Sequence, residues 1–94
     1  MAMSDTLKAI SDPVRRQILN LLKDQSKPAG EIAAQFELTP ATVSYHLKLL
    51  KQAHLITERR EKNFIYYDLN ASVFEEVLSW IYSLGIGGTP HDKK

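Results

Sequence analysis

Within residues 39–69 the apolar residues change period once, from helical to alternating, and no glycine separates the two patterns. In Thr39 to Gln52 (TPATVSYHLKLLKQ), Val43, Leu47 and Leu50 recur at i, i+4 and i+7 and mark one side of a helix. Thr39 is placed to cap it, its side-chain oxygen taking a backbone N–H that the helix leaves unpaired. Pro40 has the fixed φ that suits the first helical position. Leu55 to Arg60 and Phe64 to Leu69 follow as short runs rich in β-branched and aromatic residues. In the second run Ile65, Tyr67 and Leu69 alternate with Phe64, Tyr66 and Asp68, the pattern of a half-buried strand. Glu61, Lys62 and Asn63 form the predicted hairpin tip, with Asn63 best suited to a positive φ where no glycine is present. A helix that runs straight into a hairpin leaves one apolar side on each, and other elements must cover them.

The flanking sequence supplies helices for that purpose. Ser4 to Ile10 reads as a short helix, capped by Ser4 and apolar along Leu7 and Ile10. Asp12 and Pro13 are a cap and a first-turn proline for a second helix over Val14 to Lys23, with Val14, Ile18, Leu21 and Leu22 as its stripe. A polar turn at Asp24 to Lys27 leads to a third helix, Pro28 to Phe36, burying Ile32, Ala33 and Phe36. The short link to Thr39 makes helices three and four a helix-turn-helix, and the basic hairpin behind it is a wing. A last helix, Ala71 to Leu84, is capped by Asn70 and ended by Gly85. Its stripe of Val73, Val77, Trp80 and Leu84 is widened by Phe74, Leu78, Ile81 and Tyr82 well beyond one face. A small domain cannot cover so much apolar surface alone. A two-fold dimer through the first and last helices would, with Leu7, Ile10, Phe74, Val77, Leu78, Trp80, Ile81 and Leu84 in the contact.

Composition narrows the class. Ninety-four residues, 44% of them hydrophobic, make one domain over residues 1–94, with residues 86–94 expected to form a mobile tail. The chain has no cysteine, which removes disulfides, thiolate metal sites and thiol redox sensing. It begins without a basic-then-apolar leader and contains no run of about 18 apolar residues, so a cytoplasmic location and no membrane insertion are expected. Net charge is only +1, but between Thr39 and Tyr67 stand Lys48, Lys51, Arg59, Arg60 and Lys62 against Glu58 and Glu61. Local basic surface on a nearly neutral chain suits a small DNA-binder. Opposite the Val43 stripe, a turn of about 100° per residue brings out Ala41, Ser44, Tyr45, Lys48 and Gln52, a face with hydrogen-bonding groups and no carboxylate.

Three segments together carry a family pattern: AISDPVRRQILNLL (Ala9 to Leu22), TPATVSYHLKLLKQAHLI (Thr39 to Ile56) and FIYYDL (Phe64 to Leu69). From about Leu7 to Leu84 the chain resembles the ArsR/SmtB family of dimeric bacterial winged-helix repressors. Within that family it is most similar to the metal-independent autorepressor branch of the sporulation-delaying-protein operon type. The resemblance implies a mainly α fold with a small β-hairpin: a winged helix-turn-helix of four helices, two strands and a fifth helix. It also implies a homodimer through the first and fifth helices that represses by occupying operator DNA. Metal-sensing members carry a cysteine-rich third helix or an Asp/His pair with downstream His/Glu. This chain has Ala29-Gly30-Glu31 at the first place and neither His nor Asp from Ala71 to Leu84 at the second, so no metal or other cofactor is expected. Of the remaining histidines, His46 beside the apolar seam reads as scaffold and His54 as a helix-end residue. His91 with Asp92 in the tail does not make a closed site.

These readings assign Ser44, Tyr45 and Lys48 to base edges, with Thr42 near bases or phosphates. Thr39, Ala41 through its backbone N–H, Gln52, Arg59, Arg60 and Lys62 would position the protein on phosphates of double-stranded DNA. Arg59 and Arg60 have an equal alternative in cross-strand pairs with Glu58 or Glu61. Arg15 and Arg16 read as internal ion pairs or backbone clamps. Two other functions compete: a metal- or ligand-responsive sensor, and a winged-helix module whose apolar last helix binds a different regulatory protein. No Ser/His/Asp set, cleft carboxylate pair, nucleophilic cysteine or phosphate loop supports an enzyme.

Overall fold

A computed structural model describes residues 3–86; the predicted tail from residue 87 onward, His91 included, lies outside the described residues. The elements are α1 (Met3–Ile10), α2 (Pro13–Leu21), β1 (Lys27–Pro28), α3 (Ala29–Ala34), α4 (Pro40–Gln52), β2 (Ile56–Glu61), β3 (Phe64–Leu69) and α5 (Ala71–Ser83). The architecture is the expected one, mainly helical with a wing, but the sheet has three antiparallel strands in the order β1-β3-β2. The extra strand pairs Lys27 with Tyr67 and Pro28 with Tyr66. A proline is tolerated there because β1 is an edge strand. It also shortens α3 at its start, so Pro28 is not helical. A two-stranded ribbon alone is marginal in water, and the third strand ties the wing to the helical body.

Local chemistry accounts for the element ends. The Asp12 carboxylate accepts the Val14 N–H at 3.1 Å, with Pro13 in the first turn, so α2 begins as its sequence requires. Ser4 does not cap α1, which already runs from Met3. The inward side of α1 is Thr6 and Ala9, whereas Leu7 is exposed and Ile10 half-buried. Two small side chains bring α1 close to its neighbours and turn the larger ones outward. At the end of α4, His54 adopts φ 63°, and the chain closes with His54 N–H on Lys51 O and Leu55 N–H on Leu50 O, both at 3.0 Å. This paired closure usually takes glycine at the left-handed position. It delivers Leu55 and Ile56, both fully buried, straight into the core.

Two further expectations are corrected. The wing loop has two residues, because Glu61 pairs with Phe64, and the positive φ (56°) falls on Lys62 and not on Asn63. Positive φ at the first loop position is the arrangement of a type II′ turn, which fits the right-handed strand twist. Asn70 does not cap α5 with its side chain. Its Nδ2 instead donates to His54 O at 2.9 Å and its backbone N–H to Leu55 O at 2.9 Å, strapping the start of α5 to the end of α4. Gly85, at φ 80°, terminates α5 as predicted.

The core is one cluster: Ile18, Leu19 and Leu22 near α2, Ile32 of α3, Val43, Leu47 and Leu50 of α4, Leu55 and Ile56, and Val73 of α5. Each such aliphatic side chain contributes about 1.5–3 kcal/mol on full burial. α5 lies only partly on this core. Val73 and Val77 are buried, but Leu78, Trp80, Tyr82 and Leu84 are exposed. The stripe simply continues past the point where the chain's own core ends.

Candidate nucleic-acid interface

α4 is held on its inner side by Val43, Leu47 and Leu50, and this fixes what its outer side presents. Ala41, Ser44, Tyr45, Lys48 and Gln52 are all exposed, Tyr45 at 57%. Thr39 accepts the Thr42 N–H at 3.2 Å, and the two hydroxyls lie 2.9 Å apart, so Thr42 is half-buried beside the cap. Thirteen residues give α4 a length of about 20 Å at about 1.5 Å per residue. A helix of this size enters a major groove about 12 Å wide. Ser44 and Lys48 also line a shallow cleft of about 150 Å³ between α4 and the wing, together with Lys51, Glu58 and Tyr67.

The wing sorts its charges by strand alternation. Register pairs Arg59 with Tyr66 and Arg60 with Ile65, so the two arginines point to opposite faces of the sheet. Arg59 is committed: it donates to Glu61 at 2.6 Å, to Asp68 at 3.2 Å and to the Ser26 hydroxyl at 2.9 Å. Its guanidinium also sits 5.0 Å from the centre of the Tyr66 ring. Lys51 pairs with Glu58 at 2.9 Å, linking α4 to β2. The hydrogen bond to Glu58, and then the glutamate charge, raise the Lys51 ammonium above the usual lysine range. Burial raises the Tyr67 phenol, with Glu58 adding to it. Both glutamates of this region are therefore occupied by Lys51 and Arg59. Among the described residues, Lys48, Arg60 and Lys62 have no ion-pair partner. Three uncompensated cations thus remain on the helix and the wing. Period-two alternation could have separated Arg59 from Arg60 in the sequence; the Asp68 and Ser26 partners could not have been found there.

The two described histidines, His46 and His54, occupy structural places. His46 is mostly buried, its Nδ1 3.1 Å from an Arg15 nitrogen, and His54 closes the end of α4. Arg15 and Arg16 clamp backbone carbonyls of α1. Among the described residues no three of His, Cys, Asp or Glu converge as a metal site. No helix among them is long and apolar enough to cross a membrane.

Residues 12–58, which contain the helix-turn-helix and the start of the first wing strand, match the bacterial regulatory protein, arsR family. The chain belongs to the ArsR family. It is 46% identical over 79 residues to the transcriptional repressor SdpR of Bacillus subtilis, covering 84% of this chain and 88% of that protein. It is 32% identical over 76 residues to an arsenical resistance operon repressor of Staphylococcus aureus, covering 81% and 73%. Among solved structures, a possible transcriptional regulator for arsenical resistance superposes with TM-score 0.78 at 29% identity, covering 87% of this chain and 85% of that one. These ArsR relatives are transcription regulators and not enzymes.

Proposed function

We propose that the chain is a dimeric, sequence-specific repressor that binds an inverted-repeat operator, regulates its own gene, and needs no metal effector. The observation that carries this is the uncompensated set Lys48, Arg60 and Lys62 around the exposed, carboxylate-free face of α4. In a two-fold dimer, copies of α4 enter successive major grooves about 34 Å apart on one side of the duplex. Ser44, Tyr45 and Lys48 meet base edges: lysine reads guanine, the hydroxyl adapts, and the tyrosine ring meets a thymine methyl. Thr42 lies beside them. Thr39, the Ala41 N–H and Gln52 take phosphates at the two ends of the helix, and Arg60 and Lys62 take them from the wing. Arg59, occupied by Glu61 and Asp68, organises the wing and is the weakest phosphate ligand among these residues.

The dimer reading rests on the exposed large apolar residues of α5 together with Leu7 of α1. Ile10, Phe74 and Ile81 flank them half-buried, while Val77 is already buried within the chain and contributes support rather than contact. A DNA-binding regulator of this kind works in the cytoplasm.

The test is binding to the DNA upstream of its own gene, wild type against Tyr45→Ala, with and without Zn²⁺. The reading expects a loss of about tenfold or more in the variant, the value of one good base contact, and no effect of zinc. Unchanged affinity in Tyr45→Ala would remove α4 from the reading role. Zinc-dependent release would establish a metal sensor instead.

A further inference from the structure

Arg15 sits where three helices meet. Its side chain is 11% exposed, Nε donates to Ala9 O at 2.7 Å, and Nη2 donates to Lys8 O at 3.4 Å. Both acceptors belong to the last turn of α1, where Lys8 O also accepts from the Ser11 N–H at 3.2 Å and the Ser11 hydroxyl at 2.7 Å. Arg16 does the same at Ile10 O, at 2.8 Å. Asp12, the cap of α2, stands 3.9 Å from Nη1 of Arg15. The elbow between α1 and α2 is therefore held by the first turn of α2.

The other contact of Nη1 is His46 Nδ1, at 3.1 Å, on the far side of the elbow in α4. A guanidinium has no acceptor, so in this hydrogen bond Nδ1 is the acceptor. His46 is 13% exposed, and its ring centre lies 5.7 Å from that of Tyr45. Among the described residues, the side chains of α4 make two hydrogen bonds to other parts of the fold: His46 to the elbow, and Lys51 to Glu58 in β2. The second is exposed and screened by salt. The packing of Val43, Leu47 and Leu50 holds α4 in place but is non-directional. A hydrogen bond weakens steeply off line, so the Arg15–His46 contact adds to that packing a directional restraint on α4 against α1.

We propose that Arg15 and His46 are positioning residues for operator spacing. Their hydrogen bond locks the reading helix to α1, which carries exposed Leu7 toward the proposed dimer contact, and so sets the separation and angle of the two reading heads. This rests on the dimeric, DNA-binding function proposed above. One base pair of added spacer shifts a half-site by about 3.4 Å and about 35°, so a loosened head tolerates spacings that a locked one rejects.

The experiment lets the full-length wild type, His46→Leu, His46→Asn and Arg15→Lys each select from a library of random-sequence duplexes. Half-site bases and spacer length are read separately, with circular dichroism melts and sedimentation run on the same samples. Wild type is expected to enrich one spacer by about tenfold or more over neighbours one base pair longer or shorter, the size of a single polar contact. His46→Leu and Arg15→Lys should enrich the same half-site bases with the spacer preference reduced to about threefold or less, half or less of that contact's free energy. His46→Asn, whose Oδ1 can accept in place of Nδ1, should keep the preference. Should His46→Leu fail to melt cooperatively, Arg15→Lys decides, because an ammonium cannot reproduce the fork that spans Ala9 O and His46. An unchanged spacer preference in a folded, dimeric Arg15→Lys protein overturns the proposal. So does a change in half-site bases with spacing intact, which would make His46 a reader of bases. A wild type that enriches no inverted repeat fails differently, by refuting the dimeric operator reading itself.

Discussion

Trp80 offers the sharpest test of the proposed dimer. It is the single tryptophan of the chain, it lies on the stripe begun by Val73 and Val77, and it is 43% exposed. Aromatic residues bury about 150–250 Å² when fully covered, tryptophan at the upper end, which leaves about 100 Å² for a partner to cover. At about 25 cal/mol per Å², that surface is worth about 2.5 kcal/mol per protomer, of which alanine would retain a small part. Two-fold symmetry counts the change twice, so Trp80→Ala should weaken the dimer by about 4 kcal/mol, or nearly a thousandfold in dissociation constant. Sedimentation velocity over a concentration series measures this directly. Circular dichroism should show the helical content retained, because Trp80 is outside the buried core cluster. In the wild type, tryptophan emission should move to longer wavelength on dilution, as Trp80 loses its cover. A Trp80→Ala dimer weakened less than tenfold, or a wild-type emission that ignores dilution across the dissociation range, would refute the assignment of this part of α5 to the dimer.

Three further outcomes follow from individual residues. Lys48→Ala should lower the slope of log affinity against log salt by about 1.8, that is about 0.9 for each of two phosphate-neutralising copies in the dimer; if Lys48 reads a base without neutralising a phosphate, affinity falls and the slope stays. His54→Gly should raise stability by about 0.5–1 kcal/mol in a thermal melt, since φ 63° strains an L-residue more than glycine costs in chain entropy; a lower melting temperature would contradict the strain. The Tyr67 phenol is held above its ordinary value of about 10, first by burial and then by Glu58, so its contribution to stability is complete below about pH 10. As pH rises past 10 toward the raised folded value, the unfolded chain ionises first and stability falls; Tyr67→Phe should flatten that alkaline loss in denaturant titrations.

The sequence by itself determined the elements whose signals are local. Asp12-Pro13 and Thr39-Pro40 specify helix starts through caps that reach two or three residues along, and the structure closes both hydrogen bonds. The Val43, Leu47 and Leu50 stripe fixed which side of α4 is buried and so which side faces out, because side-chain direction in a helix follows from spacing alone. The same local logic found the wing, the terminating role of Gly85 and the surplus of apolar surface on α5. Tertiary structure decided whatever depends on residues far apart in the chain. Lys27 and Pro28 become a strand only because Tyr66 and Tyr67, some forty positions on, offer an edge. Asn70 looks like a cap until the end of α4 claims its amide, and Arg59, open in the sequence between a phosphate and a glutamate pair, acquires Asp68 and Ser26 as further partners. Arg15 and His46 are separated by thirty-one positions, and only the packing of α4 against the elbow brings them within hydrogen-bonding distance. Polar partners at long range carry no periodic signature, so the pattern of apolar residues could announce the reading helix but not what holds it at its angle.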